Sequence, residues 1–282
     1  MEFPKKIQLF LVDGSPNGRW ICELSNWTGK CYKIPRSLVR KSCDDRQELA
    51  SPGVYFLFGY NDAENKPLIY IGEAESINAR IKQHLEKKDN WNEVIAFISK
   101  DENLNKAHIK YLEHRFYQIA KECDRYSIEN NNIPTKSSIS EADRAELEEY
   151  IYNARILVNA LGHKVFESFT EKQPGKQSET PVFSLSAGKG KAYGMPTNEG
   201  FLLLKESSIH VESAESLNNG IRTKVQESRK NGEIIDNVLM NDKLFSASST
   251  AAAFAAGYSI SGPQQWKTES GETLKEYESK HS

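Results

Sequence analysis

Seven side chains between positions 55 and 113 have the types and spacing to act together. Tyr55 lies in Gly53-Val-Tyr-Phe-Leu-Phe58 and Tyr70 in Leu68-Ile-Tyr-Ile-Gly72, two apolar runs that read as strands. The polar connector Asn61–Pro67 between them makes a hairpin the expected pairing, and an antiparallel hairpin can bring the two tyrosines near each other. Arg80, His84, Lys87 and Lys88 follow on a segment of helical spacing, where these four positions fall on one face. They form a compact cationic stripe in a segment that is otherwise acidic. Glu113 sits in Tyr111-Leu-Glu-His-Arg115, on a later helix. The set therefore joins donors suited to an anion (Arg, Lys) with groups that can exchange a proton (Tyr, His, Glu).

The elements that must position these groups are legible as patterns. Residues 1–48 read as a small antiparallel meander: Ile7–Val12, a turn at Asp13–Gly18, Trp20–Leu24, a turn at Asn26–Gly29, then Cys31–Ile34. Residues 49–167 read as mixed helix and strand. After the hairpin, Ile77, Ile81, His84 and Leu85 mark a helix and Val94–Ile98 a third strand. A second helix runs from Asn105 to Lys121, with Ile109, Leu112, Phe116 and Ile119 on its apolar stripe. Asn130–Pro134 is a loop, and Ser140 with Asp143 starts a helix that ends at Gly162. Residues 168–181 lack periodicity and read as a linker. Residues 182–282 form a second domain, with strands near Val182–Leu185 and Gly200–Leu204 and helices near Gly220–Asn231 and Ser249–Ala256. The expected fold class is α+β: a small mixed or antiparallel sheet flanked by helices, preceded by the meander and followed by a small C-terminal α/β domain.

Composition narrows the function. The 282 residues carry 37 basic and 39 acidic side chains, a net charge of −2, which argues against binding nucleic acid by bulk electrostatics. The charge is uneven: 9 basic against 6 acidic side chains in residues 1–48, but 15 against 19 in residues 49–167. Positive charge is thus local, around Arg80 to Lys88 and around Arg36, Arg40 and Lys41. No apolar run approaches a membrane span, and the stretch Ile7–Val12 is too short for a signal-peptide core, so a cytoplasmic location is expected. The four cysteines form no CxxC pair, which fits reduced thiols there.

Residues 53–130 resemble the GIY-YIG nuclease superfamily. The likeness rests on Gly53-Val-Tyr55 in place of Gly-Ile-Tyr, an intact Tyr70-Ile-Gly72, Arg80 at the family's spacing, and the Leu112-Glu113 pair on a downstream helix, on strand, strand, helix and helix in order. The meander ending in Ile34-Pro-Arg-Ser and the segment Ser99–His108 resemble one bacterial subfamily. The tail, with Ser246–Phe254, Trp266-Lys and Gly271-Glu-Thr-Leu, resembles a C-terminal domain of unknown function that often follows this module. Its small-residue run and Trp are also similar to a domain associated with restriction and modification systems.

The resemblance implies a metal-dependent endonuclease acting on DNA. Phosphodiester hydrolysis needs an activated water, charge stabilisation on the phosphoryl oxygens and help for the leaving group. The family likeness gives Tyr55 the role of general base, which requires nearby positive charge to lower a phenol's pKa. Tyr70 would position the water or phosphate, and His84 relay a proton or contact DNA. Arg80 can hold nonbridging oxygens with its planar fork. Glu113 can ligate one hard cation, Mg²⁺ or Mn²⁺, completed by waters and substrate. Gly72, Lys87, Lys88 and Asn130 are the expected nucleic-acid contacts. Some relatives carry Lys directly after Tyr-Ile-Gly, whereas Glu73 stands there in this chain. That departure motivates an alternative: a non-catalytic module that recognises nucleic acid, including modified DNA, with a degenerate nuclease site. The C-terminal domain could instead recruit a protein partner. Taken singly, each residue also has a plainer reading: strand aromatics, a solvated helix face, a turn, and for Trp266 and Ala251–Ala256 a packed core.

Overall fold

The computed structural model describes residues 3–64, 66–169, 180–212, 214 and 217–281. The chain divides into two compact units, Met1–Ser168 and Phe169–Ser282. The expected linker over 168–181 lies mostly outside the described residues.

In the first unit, β1 (Ile7–Leu11), β2 (Trp20–Leu24) and β3 (Gly29–Pro35) form the expected meander. A short helix α1 (Val39–Asp45) follows, then the hairpin of β4 (Gly53–Asn61) and β5 (Lys66–Ala74). Next come α2 (Ile77–Lys87), β6 (Trp91–Ser99), α3 (Lys106–Cys123), the two-residue β7 (Ser127–Ile128) and α4 (Glu141–Ala160). One seven-stranded sheet results, in the order β1-β2-β3-β6-β4-β5-β7. It is antiparallel except for the parallel β5–β7 pair. The fold class is α+β, and no helix among the described residues is long and apolar enough to cross a membrane.

The division expected at residue 48 is not a boundary of this sheet. All seven residues of β3 pair with β6, from Gly29 opposite Ser99 to Pro35 opposite Glu93. The physical reason is burial. A three-stranded meander alone covers little apolar surface. Joined to β6, its alternation places Cys22, Leu24 and Cys31 on one sheet face and Tyr32 and Ile34 on the other. Each face is covered by helices. α3, through Phe116, and α4 pack over one face, where Val54, Phe56 and Phe97 are buried, while α1 and α2, the latter through Ile77 and Ile81, cover Tyr55 and Leu57 on the other. β4 lies between both layers, which explains its run of apolar residues without alternation.

Two helix starts follow their sequence signals. The Asn105 side chain accepts the backbone N–H groups of Ala107 and His108, and Ser140 accepts that of Asp143. α3 ends where Asp124 turns left-handed, with φ of 46°.

The second unit holds β8 (Phe183–Ala187), β9 (Gly190–Thr197), β10 (Gly200–Leu203), α5 (Asn219–Lys230), the β11–β12 pair (Ile234–Ile235, Val238–Leu239), β13 (Lys243–Phe245), α6 (Ser248–Ala256), α7 (Gly262–Gln265) and α8 (Leu274–His281). Its sheet runs β13-β10-β9-β8. Residues Ala251 to Ala256 are all buried, since a helix apolar all round has no solvent face. Trp266 is fully buried, 4.7 Å from the Phe201 ring, and donates its Nε1–H to the Ser248 carbonyl at 2.9 Å. The tail's small residues and Trp are therefore core.

Candidate functional site

The β4–β5 register sets the first geometry. Tyr55 pairs with Gly72 and Leu57 with Tyr70, so the two tyrosines lie on one sheet face, two residues apart along the ladder. Their rings are 6.2 Å apart. A Cβ on Gly72 would stand 2.3 Å from the Tyr55 hydroxyl oxygen, so the missing side chain is the space the phenol occupies. Gly53 serves a similar end: a Cβ there would meet the Phe97 carbonyl oxygen at 2.1 Å. Both glycines permit a close approach rather than a special turn.

α2 supplies the partners. It turns Ile77, Ile81 and His84 toward the sheet and leaves Arg80 at the rim. The Tyr55 hydroxyl lies 2.7 Å from His84 Nε2, and Arg80 Nε–H donates to the same oxygen at 3.3 Å. Tyr70 interacts with both Tyr55 and Arg80 and lies 5.0 Å from the His84 ring. Burial pushes the His84 imidazolium down to a pKa of about 4, and the Arg80 and Lys88 charges push the same way. Burial drives the Tyr55 phenol well above its ordinary range, Tyr70 adds to this, and only Arg80 opposes it. At neutral pH both groups are uncharged. The Tyr55 O–H can then donate to a His84 tautomer with an unprotonated Nε2, while Arg80 donates to the Tyr55 oxygen.

Glu113 reaches the same end of the sheet around the outer edge of β5. That edge is closed group by group. The Ile69 carbonyl accepts the Glu129 N–H at 2.9 Å. The Asn130 amide takes both Ile71 groups, accepting its N–H at 3.0 Å and donating to its carbonyl at 2.7 Å. The Glu73 N–H goes to the Glu113 carboxylate. Glu113 is half-buried, and its pKa is pushed up to about 7, by burial first and by the Glu73 charge second; Arg80 and Lys106 pull it down. Lys106 bridges Glu73 at 3.1 Å and Glu75 at 3.4 Å.

Several expectations change. The cationic stripe is broken, because His84 is buried and neutral. Only Arg80 and Lys87 are exposed. Lys88 follows the last residue of α2 and is engaged, 2.9 Å from Glu129 and 4.4 Å above the Tyr70 ring. His84 is too deep to touch DNA and serves Tyr55 instead. Gly72 is buried and makes room for Tyr55, while Asn130 spends its amide on the β5 edge. Tyr55 is not a lowered-pKa base, because burial outweighs the single guanidinium. Arg36, in the expected basic cluster near the meander, lies 4.4 Å over the Trp91 ring and donates to the Leu85 carbonyl at 3.2 Å. Lys106 was missed by the sequence reading. The signal was present: Lys106 and Glu113 are seven residues apart on one helix, hence on one face.

No group of three or more His, Cys, Asp and Glu side chains among the described residues is arranged to hold a metal ion. Glu113 and Glu73 are the hard oxygen donors at the site. A half-buried carboxylate raised by burial and by its like-charged neighbour is a position where a cation is electrostatically welcome. The donor set fits a divalent ion held by one carboxylate, with waters completing its shell.

Residues 183–278 match the family model described as Domain of unknown function (DUF4357). That span contains the Trp266 core and the buried α6. No curated protein and no solved structure matches the chain significantly.

Proposed function

We propose that the chain is a metal-dependent endonuclease of the GIY-YIG kind, acting on DNA phosphodiester bonds in the cytoplasm. The observation that carries this reading is the Tyr55 hydroxyl bonded to His84 Nε2 and Arg80 Nε at once, beside Tyr70 and Glu113. This arrangement favours a relay. An attacking water gives its proton to the Tyr55 oxygen as Tyr55 passes its own proton to His84 Nε2. The nascent hydroxide attacks phosphorus, the bridging P–O bond breaks, and the leaving oxygen takes a proton from solvent. Arg80 presents its remaining N–H groups to the nonbridging oxygens. A phosphate at Arg80 also offsets the charge that depresses His84, which makes the imidazole a better acceptor when substrate is bound. Tyr70 orients the water or the phosphate. Glu113, with Glu73 adjacent, would hold Mg²⁺ or Mn²⁺, which supplies charge neutralisation at the leaving group.

The alternative is a nucleic-acid-binding module with a degenerate site. It is favoured by Glu73, whose charge raises Glu113 and engages Lys106, and by the protonated Tyr55. A plasmid-nicking assay with Mg²⁺ or Mn²⁺ separates the two. The wild type is expected to nick, with Glu113→Ala and Arg80→Ala at least about a hundredfold slower. Equal activity in all three forms removes the assignment. A wild type inert on duplex, branched and modified DNA, yet still binding them, supports the alternative.

A further inference from the structure

A second cluster of titratable side chains lies in the first unit, at the other end of the sheet, where nothing proposed above is at work. An open pocket of about 290 Å³ is formed there by the ends of β3, β4, β5 and β6 with the segments that follow α3 and α4. The His163 ring stacks flat on Phe58, with centroids 3.6 Å apart at 15°. Its Nε2 is hydrogen-bonded to Glu93 Oε1, and the Tyr126 hydroxyl is 3.5 Å from its Nδ1. Lys33 Nζ approaches the second Glu93 oxygen at 3.3 Å. Asn92 is an exposed residue that lines the pocket, and its amide has no hydrogen-bond partner among the described residues. Pro35 and Pro67 are further walls.

The geometry points to a binding site for a single nucleobase carrying an exocyclic amino group, of the adenine or cytosine kind. Three features select that chemistry. Flat walls, an imidazole stacked on a phenyl ring and two prolines, suit a planar ring. Glu93 is already paired with Lys33 and His163, so the pocket has no surplus negative charge asking for a metal or ammonium ion. The free Asn92 amide offers a donor and an acceptor side by side, which match a ring nitrogen next to an amino group. The volume leaves room for one heterocycle. This inference does not rest on the nuclease reading, since binding is measured without cleavage.

The test is calorimetric titration of the full chain with adenosine, cytidine and uridine 5′-monophosphates and with ribose 5-phosphate, in EDTA. Adenosine and cytidine monophosphates are expected to bind saturably, with uridine monophosphate and ribose 5-phosphate about tenfold weaker or undetectable. Asn92→Ala, at an exposed position, is expected to weaken binding about tenfold with unchanged thermal unfolding. His163→Leu is expected to abolish it. A short single strand with one central adenine, set against the same strand with an abasic site, separates the two sources of the base. Displacement of the monophosphate only by the adenine strand assigns the pocket to a base within a polynucleotide; displacement by neither assigns it to a free nucleotide. Binding of ribose 5-phosphate as tight as that of the nucleotides overturns the proposal, as does no binding at millimolar concentration, or equal affinity in Asn92→Ala and wild type.

Discussion

Glu113→Gln is expected to stabilise the metal-free protein, increasingly so as pH rises from about 4.5 to about 7. The carboxyl ionises near 4.5 when unburied and near 7 in the fold. Its folded pKa lies above its unfolded one, so the neutral form is the one the fold accommodates. The favourable term is present in full below about 4.5 and is lost as pH rises through about 7. At about 1.4 kcal/mol per tenfold, the difference sets a ceiling of roughly 3.4 kcal/mol. Water reaches this half-buried group, which reduces the expected effect to about 1–2 kcal/mol. Gln keeps a carbonyl oxygen to accept the Glu73 N–H but carries no charge beside Glu73. Urea unfolding in EDTA, followed by tryptophan fluorescence, is the assay, because three of the four tryptophans, Trp20, Trp27 and Trp91, lie in the first unit. The variant should match the wild type within about 0.5 kcal/mol at pH 4 and exceed it by about 1–2 kcal/mol at pH 8.5. Millimolar Mg²⁺ should narrow that gap by stabilising the wild type alone. A gap independent of pH would refute the electrostatic account of Glu113.

Three further substitutions probe the scaffold of the site. Gly72→Ala places a methyl 2.3 Å from the Tyr55 oxygen, so a loss of about 1–3 kcal/mol in denaturant unfolding is expected, together with nuclease activity; a neutral effect would mean Tyr55 does not lie across Gly72. His84→Leu preserves the apolar packing but removes the acceptor 2.7 Å from a buried hydroxyl, at a cost of about 1–3 kcal/mol by the same measurement. Asn130→Ala strips both hydrogen bonds from Ile71, so its amide should exchange with solvent at least about tenfold faster, and unchanged exchange would show that the β5 edge is closed by something else.

Much of the first unit was legible because its signals are local. The apolar runs of β4, β5 and β6, the stripe of Ile109, Leu112 and Phe116, and the cap at Ser140 appear as read. The extent of the sheet was not, since pairing between β3 and β6 joins residues some sixty positions apart without leaving a local trace. In the second unit β9 escaped notice, because Gly190-Lys-Ala-Tyr-Gly-Met-Pro-Thr197 is poor in β-branched residues and takes its strand form from its neighbours.

The sequence by itself determined which side chains meet. Tyr55, Tyr70, Arg80 and His84 are separated by distances that a hairpin and one helix translate directly into proximity. It also set the small-residue and Trp core of residues 183–278. Only the tertiary structure decided what state those groups are in. Ionisation depends on the charges and solvent around a group, and burial is a property of the whole assembled layer. Hence His84 is neutral rather than part of a cationic stripe, Tyr55 is protonated rather than a lowered-pKa base, and Glu113 titrates near neutrality. Gly72 and Asn130 turn from expected contacts into supports for the same reason: their neighbours across the sheet and along its edge claim them first.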